Sequence, residues 1–368
     1  MSEADRMVSF EGRLPVERSG PREPGRDLGA LVGAAGEVTW HLRGRDALAH
    51  ILTAGLTPSV RCLVPAYICP EVIDKIAEIG HQPVLYAVTP ELEVDLEDLA
   101  GKVRDGDVFL YVRYFGVRGA EAAAELARRE GALVLEDTSQ APFSYDSRPE
   151  RRPDVAFTSL RKYCPVLDGA AVDVLTERLR GRVPAPAGRA PARLLLARAA
   201  ALYLQGRHAR RPRRTYAALA QEMFGAAEYE LRRARPRAGG EAGMSAWSRR
   251  ILRRMDLPAV AEQRRENYRA LAAHLEGAGG VHVLWPELDA VACPYGCPVL
   301  VANNRLWHDA LRQQGIQAAL LWDREDHWEG FPASAWLARH LLVLPVAQTN
   351  TPADMARVAA VLRDYHGD

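Results

Sequence analysis

Lysine is nearly absent from this chain. Of its 48 Lys and Arg residues only three are lysine: Lys75, Lys102 and Lys162. An arginine-favouring coding background explains the bias in general. It does not explain why Lys162 stands directly beside Arg161, in the stretch TSLRKYCPVLDG (158–169). A guanidinium stays protonated at any workable pH, whereas an amine loses its proton and attacks a carbonyl. Cysteine is also scarce. The five residues Cys62, Cys69, Cys164, Cys293 and Cys297 are odd in number, which fits a reducing cytoplasm better than a disulfide framework. Cys293-Pro-Tyr-Gly-Cys297 has no second Cys/His pair at metal spacing, so no metal is expected.

Long apolar runs are missing too. None reaches the roughly 18–20 residues of a membrane span, and no membrane partner is expected. The opening MSEADRMVSFEGRLPVERSGPREPGRD has no apolar signal core, which makes the cytoplasm the expected location. The net charge is only +1, so no global basic field points to nucleic acid. RHARRPRR (207–214) is a local exception, expected to be a solvated loop or a contact for an acidic ligand.

What remains is a composition ordinary for a soluble globular protein: 368 residues, 48% hydrophobic and 26% charged. Helical periodicity appears at 44–55, 70–80, 96–103 and 119–131, the last closed by Gly131 as a helix stop. Short apolar runs at 61–67, 83–88, 107–116, 132–137, 154–159 and 169–175 alternate with them. That alternation predicts a mainly parallel sheet covered by helices. Residues 178–243 change character, being rich in Arg, Ala, Pro and Gly with one helical segment at 192–206. An α+β set follows: helices at 257–280, 304–316 and 352–366, and a strand at 294–303. The expected division is an N-terminal arm (1–36), a large domain (37–245, with 178–243 a divergent helical insertion) and a small C-terminal domain (246–368).

Ligands of open parallel sheets bind beyond the carboxyl ends of the strands. Asp137-Thr-Ser-Gln140 follows one predicted strand, Ser159-Leu-Arg-Lys162 another, and Tyr67 a third. Gly44 precedes a helix, whose N-terminus is a ready phosphate site. Taken singly, each has an ordinary reading as a cap, a surface charge or a packed ring. Together they match the needs of pyridoxal 5′-phosphate. That cofactor takes a lysine for a Schiff base, a carboxylate for its pyridinium nitrogen, donors for its phosphate and an apolar surface for its ring.

The segments VRCLVPAYICPEVIDKIAEIGHQPVL, LVLEDTSQA and FTSLRKYCPVLDGAAV resemble the DegT/DnrJ/EryC1/StrS aminotransferases. AEQRRENYRALAAHLEGAGGVHVLWP, RQQGIQAALLW and LARHLLVLPVAQTNTPADMARVAAVL extend the likeness, so that it covers about residues 37–365. The resemblance implies fold type I of the pyridoxal-phosphate enzymes, a homodimer with shared active sites, and small-molecule substrates. It makes Lys162 the Schiff-base lysine and Asp137 the partner of the pyridine nitrogen, and places Gln140 near the phenolic oxygen. Ser159, Gly44 and Arg45 would hold the phosphate, and Tyr67 would face the ring. Arg113, His327 and Trp328 are the candidates for touching substrate. The chain departs from the family at 178–243, which has no clear counterpart of the family's substrate loop, and in two further places. Phe157 stands five residues before the lysine where many members carry Ser, and Leu167-Asp168-Gly169-Ala170 replaces a glycine-richer run.

The implied reaction moves an amino group from a Glu- or Gln-like donor to a keto or aldehyde acceptor, a sugar or natural-product intermediate. Two alternatives stay open: another pyridoxal-phosphate reaction (elimination, decarboxylation or condensation), and a catalytically silent protein of the same fold. A serine acyl-enzyme sharing the Ser-x-x-Lys spacing is disfavoured, because its Ser-Asp-Asn and Lys-Thr-Gly partners are absent.

Overall fold

The computed structural model describes Val8 and residues 28–31, 34–144, 153–210, 214–233, 242–322 and 328–365. In chain order the elements are α1 (Leu28–Leu31), β1 (Glu37–His41), α2 (Gly44–Gly55), β2 (Arg61–Pro65), α3 (Pro70–Glu78), β3 (Gln82–Tyr86), α4 (Leu96–Lys102), β4 (Val108–Val112), α5 (Glu121–Arg129) and β5 (Leu133–Asp137). They continue with β6 (Val155–Phe157), β7 (Ala170–Val174), α6 (Ala192–Arg210), α7 (Arg214–Arg233), α8 (Ala246–Leu252), α9 (Leu257–Leu275), β8 (Val281–Val283), β9 (Cys297–Val301), α10 (Asn304–Gln313), α11 (Pro332–His340), β10 (Leu341–Leu344) and α12 (Pro352–Asp364). The larger sheet has seven strands, mostly parallel, in the order β1-β7-β6-β5-β4-β2-β3. The smaller has three, in the order β10-β9-β8. No described helix is long and apolar enough to cross a membrane.

Two compact units form. The first comprises Met1–Phe10, Leu56–Ala156 and Pro258–Asp368. There β2 runs parallel to β3 and β4, and β4 parallel to β5, with Val112 opposite Asp137. Every residue of β4 (VFLYV) and β5 (LVLED) is buried; the apolar runs Val108–Val112 and Leu133–Leu135 are what a covered parallel sheet takes, and Glu136 and Asp137 are charged groups at its end. α5 turns Ala123, Ala124 and Ala127 inward and stops before Gly131, whose φ of +85° suits a residue without a side chain. In α9, Arg264, Asn267, Tyr268 and Leu271 form one stripe at helical spacing, all fully buried. Its polar members bond to carbonyls of loops. Arg264 donates to the carbonyls of Pro294 and Tyr295 at 3.0 and 3.2 Å, and Asn267 to that of Ala347 at 2.9 Å. The small antiparallel sheet pairs β9 with both β8 and β10.

The second unit comprises Glu11–Gly55 and Phe157–Leu257. β1 pairs antiparallel with β7, His41 opposite Ala170. The Asp173 carboxylate accepts the N–H groups of Ala35 and Gly36 at 2.9 and 2.8 Å, fixing the entry to β1. α6 and α7 form a helical pair, and Leu194 and Ala227 bury against Leu42. This corrects the reading of 207–214 as a loop. Residues 207–210 close α6 and Arg214 opens α7, while 211–213 lie outside the described residues. The expected arm, 1–36, lies almost wholly outside them as well.

Candidate active site

In the first unit Asp137 ends β5, buried, and its Oδ1 accepts the N–H of Ser139 at 2.7 Å. This is a local Asx-type turn, and it leaves the carboxylate at the carboxyl end of a strand. The Arg113 N–H donates to the Asp137 carbonyl at 3.1 Å, which ties the two strand ends together. Gln140 is buried, and its Oε1 accepts the Phe115 N–H at 2.9 Å. That bond commits the oxygen, so the Nε2 end is the side of the amide that donates. Tyr67 is fully buried. Its hydroxyl donates to the Leu321 carbonyl at 3.1 Å and its ring lies edge-on to Trp322, centroids 5.0 Å apart. Tyr114 completes the cluster by donating to the Tyr67 carbonyl at 2.6 Å. Phe115 and Trp322 both hold a left-handed backbone, φ +53° and +54°. Such strain in bulky residues persists only where the surroundings over-determine it, and it clusters at functional sites.

The substrate candidates of this unit fare differently. Arg113 donates to Glu136 at 2.6 Å and lies 3.6 Å from Glu121, so its charge is matched by two carboxylates, the nearer of them buried. Trp328 lines a cavity of about 350 Å³ with Asn303, Asn304, Arg305, Arg339 and His340, at the start of α10. His327 lies outside the described residues. The paired thiols first weighed as half a metal site are deeply buried. Burial pushes both Cys293 and Cys297 up to about 12, away from the thiolate a metal takes.

The second unit holds the other candidates. A short 3₁₀ turn, Leu160–Lys162, follows β6, with buried Ser159 at its start and Lys162 half-buried. The Leu160 N–H donates to the Gly169 carbonyl at 3.1 Å, and the Gly169 N–H donates to the Leu42 carbonyl at 2.8 Å. The lysine turn and the chain entering α2 are therefore fastened to the same residue. Gly44 is the first residue of α2, not the residue before it, and is buried; Arg45 is half-buried. Asp46 sits in that first turn, and both its oxygens take the Arg43 Nε–H at 2.7 Å. The carboxylate at this helix N-terminus is thereby neutralised within its own unit.

The structure adds groups that the sequence did not single out. Asp168 is buried and accepts from the Ser245 N–H at 2.8 Å, the Ser245 hydroxyl at 2.6 Å and the Ser248 hydroxyl. Ser248 in turn accepts the N–H groups of Leu167 and Asp168 at 3.0 and 3.1 Å. Ser245-x-x-Ser248 at the start of α8 is a cap pattern, the one signal by which this anchor was findable. Arg161 pairs with Glu228 of α7 at 3.3 Å, a contact with no local sequence signal.

No family model matches the sequence, and no curated protein matches it. Solved structures do. A DegT/DnrJ/EryC1/StrS aminotransferase from Brucella abortus superposes with a TM-score of 0.67 at 20% identity, over 93% of this chain and 88% of that one. The fold is that of the DegT/DnrJ/EryC1/StrS aminotransferases. 3-Amino-5-hydroxybenzoic acid synthase shares this aminotransferase fold, with a TM-score of 0.68 at 17% identity, over 92% of this chain and 88% of that one. So does the GDP-4-keto-6-deoxy-D-mannose-3-dehydratase of E. coli with bound hydrated pyridoxal phosphate, with a TM-score of 0.66 at 12% identity, over 91% and 89%.

A protein of the same fold is described with bound hydrated pyridoxal phosphate, and each unit, taken by itself, carries donor types that such a group takes. The second unit supplies an amine, a hydroxyl and a helix N-terminus whose nearby carboxylate is neutralised by Arg43. The first supplies an anion bonded to a backbone N–H and an amide with its oxygen already committed.

Proposed function

We propose that the chain is a pyridoxal 5′-phosphate-dependent aminotransferase. It moves an amino group from a Glu- or Gln-like donor to a keto or aldehyde acceptor, a sugar or natural-product intermediate. The observation that carries this reading is Lys162. One of only three lysines in the chain occupies the turn after β6, three residues beyond a buried serine and fastened through Gly169.

When bound, the cofactor supplies an electron sink for the carbon that bears the amino group. Lys162 would hold it covalently. Once released, the Lys162 Nζ would take the proton from the donor carbon that bears the nitrogen and, in the second half-reaction, give one to the acceptor carbon that receives it. Asp137, as an anion, would keep a proton on the pyridine nitrogen. Gln140 would donate from Nε2 to the phenolic oxygen. Ser159 and the start of α2, Gly44 and Arg45, would bind the phosphate. Tyr67 would face the ring. Its ring packs against those of Tyr114 and Trp322, centroids 6.5 and 5.0 Å away, which supports a firmly packed surface for this contact. A homodimer belongs to the same reading, and sedimentation at two concentrations tests it.

The acceptor follows less directly. One protein of the same fold is named for an aromatic amino acid and another for a nucleotide-sugar, so the shared fold selects neither. The test is a half-reaction. Protein loaded with pyridoxal phosphate should absorb near the visible edge and convert the cofactor to pyridoxamine phosphate with L-Glu or L-Gln. Lys162→Ala should lose both signals. Colour without donor turnover would assign another pyridoxal-phosphate reaction, such as the dehydration in the name of the E. coli protein. A colourless protein would assign a silent member of the fold.

A further inference from the structure

The divergent segment between 178 and 243 contacts the turn of Lys162. α6 carries a stripe of Leu194, Arg198 and Ala201 at helical spacing, exposed by 0%, 3% and 0%. A buried guanidinium inside an apolar stripe is costly unless it is paired. Its partner is Glu228 of α7, next to the buried Ala227. The same Glu228 oxygen also takes Arg161, the residue immediately before Lys162. Burial alone would raise the Glu228 carboxyl, but the two guanidiniums outweigh it and hold the group below its ordinary range. One carboxylate therefore serves two cations. Arg198 alone would satisfy Glu228 as a structural pair. The second arginine lies on the lysine turn and links that turn to the helical pair.

We propose that Glu228 is a positioning residue for Lys162, holding the turn Leu160–Lys162 through Arg161 so that the amine stays in its reactive orientation. The helical pair α6–α7 is thus part of the lysine's support. The two anchors divide the work. Asp168, with Ser245 and Ser248, fixes the C-terminal end of the loop, and Glu228 fixes its start. The inference rests on the assignment of Lys162 made above.

The experiment follows covalent capture of pyridoxal phosphate by the full chain. Borohydride reduction at timed intervals, followed by peptide mass spectrometry, reads the adduct at Lys162. Two variants are compared with the wild type, Glu228→Gln and Arg161→Gln. The second leaves the Arg198–Glu228 pair in place, so the helical pair stays folded. Both should slow capture, by about tenfold or more, since small misplacements of a reacting group cost that much. The double variant should be no slower than the slower single one, because both break one link. Arg161→Gln should keep the wild-type melting temperature, and its turnover should fall in kcat with KM unchanged. Wild-type capture rates in Arg161→Gln would overturn the positioning role. An adduct absent from Lys162 in the wild type would instead overturn the Lys162 assignment and the proposal with it.

Discussion

His41 is a histidine that the fold keeps neutral. It is fully buried, its Nε2 lies 2.9 Å from the Thr39 hydroxyl, and its Nδ1 meets no hydrogen-bond partner among the described residues. Burial first, and then His50 with its ring 5.0 Å away, bring it down from 6.5 to about 3. The unfolded chain therefore binds the proton that the fold refuses. Stability is complete above the unfolded value and drains away as pH falls from 6.5 towards 3. At pH 5 the loss from this one group is about 2 kcal/mol. Urea unfolding at pH 8 and pH 5 should show that difference, and His41→Gln should remove most of it. Equal pH slopes in the two proteins would rule His41 out as the source. Gly116 gives a second prediction for a single residue. Its φ is +75°, and a Cβ there would stand 2.1 Å from the Cys293 carbonyl oxygen and 2.9 Å from that of Gln140. Gly277 has a similar φ of +71° with nothing within 4 Å. Gly277→Ala should cost roughly 1–2 kcal/mol from backbone conformation alone. Gly116→Ala should cost about 3 kcal/mol or more, because the backbone around Gln140 must move. Urea midpoints of the two variants decide the order.

Among the elements, α8 is short but anchors the lysine loop. Ser248→Ala would leave the N–H groups of Leu167 and Asp168 without their acceptor and remove one donor from a buried carboxylate. Several buried groups lose partners at once, so the expected cost is about 2–4 kcal/mol. Ser245→Ala removes the cap and a single Asp168 hydroxyl bond, and roughly 1–2 kcal/mol should follow. The reverse order in denaturation would mean that capping, not the Asp168 anchor, is what α8 contributes. This scale also separates what was legible in the sequence from what was not. α2, α3, α5, α10 and α12 begin within a residue or two of their expected starts, because caps, prolines and apolar spacing act locally. β10 was not found: Leu341–Leu344 is four apolar residues directly after α11, too short a run to separate strand from helix by periodicity. α7 was missed because it opens in an arginine run beside Pro212, which reads as solvated loop. Its helicity is fixed by packing of Ala227 with Leu42 and Leu194, which is tertiary information. The Asp137-x-x-Gln140 and Ser159-x-x-Lys162 spacings were readable because each is set within one strand end. The Arg161–Glu228 link joins residues 67 apart, and nothing local announces it.

Over the whole molecule the scarcity of lysine becomes an experimental handle. Lys75 pairs with Glu78 at 2.9 Å on α3. Lys102 pairs with Asp98 at 2.7 Å, donates to the Leu85 carbonyl and lies over the Phe331 ring. Both are cations in ion pairs, the role in which Arg most readily replaces Lys. The variant Lys75→Arg/Lys102→Arg therefore contains Lys162 as its only lysine side chain. Surface pairs of this kind are worth only about 0–1 kcal/mol, so the fold should tolerate the exchange. Lys102 makes three contacts and will show the larger part of whatever loss occurs. If chance composition alone placed Lys162 beside Arg161, pyridoxal phosphate should react with the three lysine side chains of the wild type alike, and the lysine adducts of the double variant should fall to about a third. If position 162 is where an amine is required, uptake should be unchanged in the double variant. The adduct should then sit on one peptide in both proteins, and Lys162→Arg should abolish it although the charge is kept. Reduction and mass spectrometry of the intact proteins count the adducts directly, and a count that follows the number of lysines would sink the site.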